Sequence, residues 1–317
     1  MSVVYNGEKD ALLAKEVLGK VIPEICESDD KAIYLDADLM NCIGTLKWGM
    51  AHPDKAIDCG IAEANMMGVA AGLASAGFKP IVHTFGPFAS RRSFDQVFLS
   101  AGYAKNDITV IGTDPGVTAA LNGGTHMPFE DVALYRTIPT ATVLEPSDTT
   151  MLGKLLKQCV NSPGVKYLRI GRKDLAKIYS DDFEPTIGKA EVLRDGKDVA
   201  IFAAGIMLKE AMEAAKALEA EGISAAVIDC FSIKPLDAET VAKYAAKCGA
   251  VVVAENHSKH GGLYSAVLEV LAENCPVKAA CVAVEDEFGE VGPQSYLQER
   301  FKLTSAHIIE QVKKVLK

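Results

Sequence analysis

Short apolar runs and longer stretches with helical spacing alternate along these 317 residues, and that alternation predicts the architecture before any chemistry is considered. After an N-terminal helix, 32–36 reads as a buried strand, and a helix of small and apolar residues runs on from position 63. Strands at 80–85, 107–112, 141–144 and 165–170 follow, separated by helices at about 94–105, 130–135 and 147–161. Ser147 is expected to cap the last of these, with Asp148 in its first turn. Residues 173–188 lose the rhythm; they carry Asp181-Asp182, Pro185 and Gly188 and read as a linker. A second alternation then begins, with strands at 198–203, 223–229, 249–254 and 277–284. Helices at 207–221, 237–247 and 262–274 lie between them, Gly222 is placed to stop the first, and a last helix starts near Thr304. The pattern predicts an α/β protein of two tandem doubly wound domains with mainly parallel sheets, 1–172 and 189–317, joined by the linker. In such folds ligands lie at the carboxyl ends of strands or between domains.

Composition narrows the partners. Hydrophobic residues make up 49% and charged residues 24%, enough to bury large cores. The net charge is −9 and no Lys/Arg cluster exceeds a pair or so, which argues against nucleic acid and leaves any anion site to a local pocket. None of the eight cysteines forms a C-x-x-C pair, so they read as free thiols of a reducing compartment. The first ten residues are too polar for a signal peptide, and no apolar run reaches membrane-spanning length. A soluble cytoplasmic protein is the expectation.

Chemistry concentrates at strand ends. In Asp58-Cys-Gly-Ile-Ala-Glu-Ala-Asn-Met-Met, Glu63 is the only charged residue between Asp58 and Lys79. A lone carboxylate among apolar neighbours is costly unless paired or protonated, and such a group can place a proton. The plainer reading is a solvated acid at a helix start. Leu35-Asp-Ala-Asp-Leu39 sets two acids after a buried strand, as a turn or cap also would. Phe85 and Phe88 stand around a Gly-Pro turn and could grip a flat heteroaromatic ring, or simply pack the loop. His126 follows Gly123-Gly-Thr, a loop imidazole able to titrate near neutrality.

Together, and in this order, these segments closely resemble the transketolase family of thiamine-diphosphate enzymes over nearly the whole chain. Residues 1–172 resemble the pyrimidine-binding domain and 189–317 the C-terminal domain. In the latter, Phe231-Ser-Ile-Lys-Pro-Leu-Asp237, Glu255-Asn-His-Ser-Lys-His-Gly-Gly262 and Asp286-Glu-Phe-Gly-Glu-Val-Gly292 carry the likeness. The resemblance gives Glu63 the role of the glutamate that hydrogen-bonds the aminopyrimidine ring nitrogen and so places the proton for the cofactor's chemistry. It pairs Phe85 and Phe88 against the pyrimidine and sets Asp38 near the cofactor. His126 matches a histidine that hydrogen-bonds substrate and intermediate, and Arg172 an arginine that binds the substrate's terminal phosphate.

What is missing and what departs are equally informative. The chain has no Gly-Asp-Gly, the motif that with a later Asn holds the diphosphate and Mg²⁺ in this family. The resemblance therefore implies the C-terminal subunit of a split transketolase. Its partner would be an N-terminal subunit carrying Gly-Asp-Gly and Mg²⁺, the two sharing thiamine diphosphate in a heterotetramer. Ala120-Leu-Asn-Gly123 replaces the family's Gly-Glu-Asp-Gly, so Asn122 stands where an aspartate reads a sugar hydroxyl. Cys42 stands at a phosphate-binding serine position, Asp114 at a histidine position, and Lys9 where an arginine is usual. Lost donors and a gained carboxylate should bind sugar phosphates poorly, which implies an unusual sugar or terminal group. A beta subunit of a 2-oxoacid dehydrogenase, working with a lipoyl-bearing partner, is a second reading. A weakly active or regulatory transketolase-like subunit is a third. The Phe-x-x-Phe loop and Thr-His favour the first. Adjacent Arg91 and Arg92 leave open which one faces the site.

Overall fold

A computed structural model describes residues 2–317. Twelve strands form two sheets. The first contains β1 (Ala32–Asp36), β2 (Ala56–Asp58), β3 (Lys79–Phe85), β4 (Ile108–Thr113), β5 (Ala141–Leu144) and β6 (Val165–Ile170). The second contains β7 (Glu191–Arg194), β8 (Val199–Ala203), β9 (Ala225–Asp229), β11 (Ala250–Ser258) and β12 (Lys278–Val284). The sheet orders are β10-β5-β6-β4-β3-β1-β2 and β12-β11-β8-β9-β7, where β10 is Ser232–Lys234. All pairings are parallel except those of β10 and β7, each an edge strand. The central strands are buried throughout, as sheets covered by helices on both faces require.

Register positions the site. Asp36 of β1 pairs with His83 of β3, Phe85 of β3 with Thr113 of β4, and Thr113 with Ile170 of β6. The chain therefore leaves the same sheet edge just before Asp38, Gly86, Asp114 and Arg172. Helix Glu63–Ser75 buries Glu63, Met66, Met67, Ala70 and Ala71, one stripe at helical spacing. Glu63 opens that stripe and so faces inward.

Two local expectations are corrected, and one pairing was not foreseen. Asp148, not Ser147, caps helix Thr149–Val160, because its carboxylate accepts the Met151 N–H at 2.8 Å. Ser147 is turned instead toward Asp229. The helix expected over 94–105 is a single turn, Phe94–Gln96, running into a π-helical stretch, Val97–Tyr103. The sheets are also stitched across the halves, since β10 comes from the second half and pairs with β5 of the first. Among the described residues, no helix is long and apolar enough to cross a membrane.

Each C-terminal motif grips the first half. In Phe231–Asp237, Lys234 Nζ donates to the Arg136 and Ile138 carbonyls at 2.9 and 2.6 Å beside β10. In Glu255–Gly262, the Asn256 amide accepts the Val117 N–H at 2.9 Å and donates to the Pro115 carbonyl at 3.0 Å. In Asp286–Gly292, Gly289 and Val291 lie so close to Gly124 and Gly123 that a Cβ on either would clash. Between the halves a fully buried Arg169 joins Asp131 at 2.8 Å, Glu145 at 2.7 Å and the Asn256 carbonyl at 3.2 Å.

Candidate active site

Glu63 is 3% exposed at the first residue of its helix. It is inside rather than solvated, and it is paired: Arg92 Nη1 donates to Oε1 at 2.9 Å. The Arg92 guanidinium also lies 3.7 Å from the centroid of the Phe88 ring, a cation–π contact that helps fix its plane. Of the two adjacent arginines, Arg92 thus meets the acid, while Arg91 donates to Glu130 at 2.8 Å and to the Thr125 carbonyl at 2.7 Å.

Phe85, Phe88 and His126 form one cluster. The phenyl centroids are 6.3 Å apart, and His126 meets Phe88 at 5.1 Å and Phe85 at 6.0 Å, edge to face. An open depression borders them, lined by Phe88, Arg91, Arg92, Thr125 and His126. Arg172 lies over the other phenyl, 4.8 Å from the Phe85 centroid. It is held by Asp114: Nε donates to Oδ2 at 2.8 Å, the backbone N–H donates to Oδ1 at 3.0 Å, and Nη2 forms an ion pair with Oδ2 at 2.6 Å. Burial opposes the Arg172 charge, but the Asp114 carboxylate outweighs it and raises the pKa further.

The remaining sequence candidates sit at the rim. Asp38 is exposed, in a left-handed backbone conformation (φ 61°), and its N–H donates to Asp58 at 3.0 Å. Asn122 is exposed at the end of the 116–122 turn. Gly116 (φ 53°) packs so tightly on Asn256 that a Cβ would stand 2.2 Å from its Oδ1.

One group escaped the sequence reading. His83, fully buried beneath the site, has Nδ1 2.7 Å from Asp36 Oδ2 and Nε2 3.0 Å from Thr113 Oγ1. The Tyr34 hydroxyl also donates to Asp36. The network ties together β1, β3 and β4, whose ends carry Asp38, Phe85 and Asp114. His83 lies two residues before Phe85, but nothing local in the sequence pairs it with an acid 47 positions earlier.

A buried acid opening a helix, a phenylalanine pair and a loop histidine gather at one edge of the first sheet, braced by a second α/β unit. The residues fit the heteroaromatic end of a thiamine-type cofactor: an inward carboxylate is joined through Arg92 to the Phe88 face, next to Phe85. Among the described residues, no group of three or more His, Cys, Asp or Glu is arranged to hold a metal ion.

The transketolase pyrimidine binding domain model matches residues 11–177, and the transketolase C-terminal domain model residues 188–308. This chain belongs to the transketolase family. Within it, the chain is 48% identical to the 6-deoxy-6-sulfo-D-fructose transketolase subunit SqwH of Clostridium sp. (strain MSTE9), over 92% of this chain and 91% of that one. It is 36% identical to an apulose-4-phosphate transketolase subunit of Phocaeicola vulgatus, over 83% and 85%. A solved split-gene transketolase, described as an inactive beta4 tetramer, superposes with a TM-score of 0.90 at 40% identity, covering 96% of this chain and 99% of that one. The transketolase of Campylobacter jejuni shares the fold, with a TM-score of 0.81 at 20% identity; this chain spans 48% of its length.

Proposed function

We propose that this chain is the C-terminal-type subunit of a split transketolase. It would move a two-carbon ketol unit from a ketose to an aldose in company with a separately encoded subunit that carries Gly-Asp-Gly. The observation that carries the reading is Glu63, buried at the head of its helix, paired with Arg92, and joined through that guanidinium to the Phe85–Phe88–His126 cluster. Its subunit-sized relatives named as transketolase subunits, and the inactive tetramer of a similar chain, support the need for a partner.

Thiamine diphosphate, when bound, supplies the chemistry that stabilises the transferred unit. Glu63 would face the pyrimidine ring nitrogen and serve as the group that gives or takes the proton there. Phe85 and Phe88 orient the ring. His126, seated on both phenyl edges, donates to a sugar oxygen, and Arg172 faces the substrate's anionic end. Asn122 reads a sugar hydroxyl at the rim, and Asp38 borders the cofactor. The partner subunit holds the diphosphate and Mg²⁺, and the assembly is a heterotetramer. The sulfonated ketose named for the Clostridium relative is the donor class we favour.

Mixing the chain with its partner and assaying ketol transfer tests this reading. Glu63→Ala should cost at least about two orders of magnitude, as removal of an acid–base group does. Turnover by the chain alone, or a variant rate within a few-fold of wild type, would overturn it.

A further inference from the structure

Every arginine bordering the aromatic cluster faces a carboxylate. Arg91 meets Glu130, Arg92 meets Glu63, and Arg172 meets Asp114. The Arg172–Asp114 pair is the most enclosed of the three, with side chains 17% and 3% exposed. Asp114 also sits at φ 56°, a conformation that costs free energy in a non-glycine residue. Its three contacts with Arg172, and its own N–H donating to the Ile170 carbonyl at 3.0 Å, hold it there.

We propose that Asp114 is a specificity-determining residue: by neutralising Arg172 it selects ketoses whose far end carries a single negative charge and rejects those ending in a phosphate dianion. This rests on the reading above, that a ketose lies over His126 and meets Arg172. A guanidinium has five N–H donors; Asp114 takes the one on Nε and pairs with Nη2, and the Cys42 thiol also faces the group, which still leaves donors over for a guest oxyanion. The pair therefore offers hydrogen bonds without net positive charge. A sulfonate carries one charge at any working pH. A phosphate monoester carries about 1.5 to 2 at pH 7, and its second charge meets the Asp114 carboxylate in a poorly screened pocket. Burial of the pair keeps salt from relieving that repulsion.

The test uses the assembled two-subunit enzyme with 6-deoxy-6-sulfo-D-fructose and D-fructose 6-phosphate, two donors that differ only at the terminal group. Wild type should prefer the sulfonate in kcat/KM by at least about tenfold. Asp114→Asn, or Asp114→Ser should the amide not fold, should raise the phosphate-to-sulfonate ratio by about tenfold or more, with the change in KM rather than kcat. Equal use of both donors by wild type overturns the proposal without any variant. An unchanged ratio in a folded variant overturns it as well, while leaving ketol transfer standing. Absence of transfer with any ketose overturns the functional reading itself, and this inference with it.

Discussion

Arg92 reaches back across 29 residues of sequence to lie 2.9 Å from Glu63, and the same guanidinium covers the Phe88 ring. One side chain thus serves the acid and the aryl face together. Arg92 is about half exposed while Glu63 is buried, so the pair is asymmetric: the carboxylate depends on the arginine more than the reverse.

Arg92→Ala should destabilise the chain by roughly 1–3 kcal/mol, because it leaves a buried carboxylate unpaired. Adding Glu63→Gln should recover most of that loss. Urea unfolding of both single variants and the double variant gives the coupling, expected at about 1 kcal/mol or more. Additive effects would show that the pair carries no stability.

Gly116→Ala should lower stability by about 2 kcal/mol or more, since the methyl would strike the Asn256 amide and the backbone there is left-handed. The double variant with Asn256→Ala removes the obstacle but also the two hydrogen bonds of the clamp, so its melting temperature should lie between those of Gly116→Ala and wild type. Unaltered melting of Gly116→Ala would contradict the close approach.

His83→Leu should cost roughly 1–3 kcal/mol, because buried Asp36 loses one partner while keeping those from Tyr34 and the Leu39 N–H. The double variant with Asp36→Leu should be markedly more stable than His83→Leu alone. Thermal scans of the set decide it.

Asp229 sets a pH dependence. Burial pushes its carboxyl up to about 8 from an ordinary 3.8, against the pull of the Tyr179 and Ser147 hydroxyls; Asp148 and Glu191 add to the rise. The folded state thus binds the proton more tightly than the unfolded chain. The associated stability is fully present below about pH 4 and is lost as pH rises toward 8. Asp229→Asn cannot titrate, so the melting temperature of the variant relative to wild type should climb by several degrees between pH 5 and pH 8.5. Parallel curves would exclude Asp229 as the cause.

Much of the fold was legible because β1, β3, β4, β8 and β11 each carry a short run rich in Ala, Val, Ile and Leu, as a parallel sheet covered on both faces favours, although polar residues interrupt β3 and β4 and end β11. β10 was not, since Ser232-Ile-Lys234 has too little apolar character to declare itself and is completed by a strand from the other half. The cap fell on Asp148 because two adjacent residues both suit the position and only tertiary contacts, Ser147 to Asp229 and Asp148 to the Ile178 and Tyr179 N–H groups, divide them. Glu63 stood out as an acid without local company. Its partner could not be read, because Arg91 and Arg92 are adjacent in a turn, and only the fold decides which of them meets the acid.

The placement of Ser232–Lys234 on the rim of the first sheet bears on how this polypeptide could ever be subdivided. A break within 173–188 would bare the Ala141–Leu144 ladder, leaving unpaired amides and carbonyls open to docking by a stray chain. Fragments made at that seam should clump when produced separately and recover when made together, whereas the intact polypeptide should melt in one step.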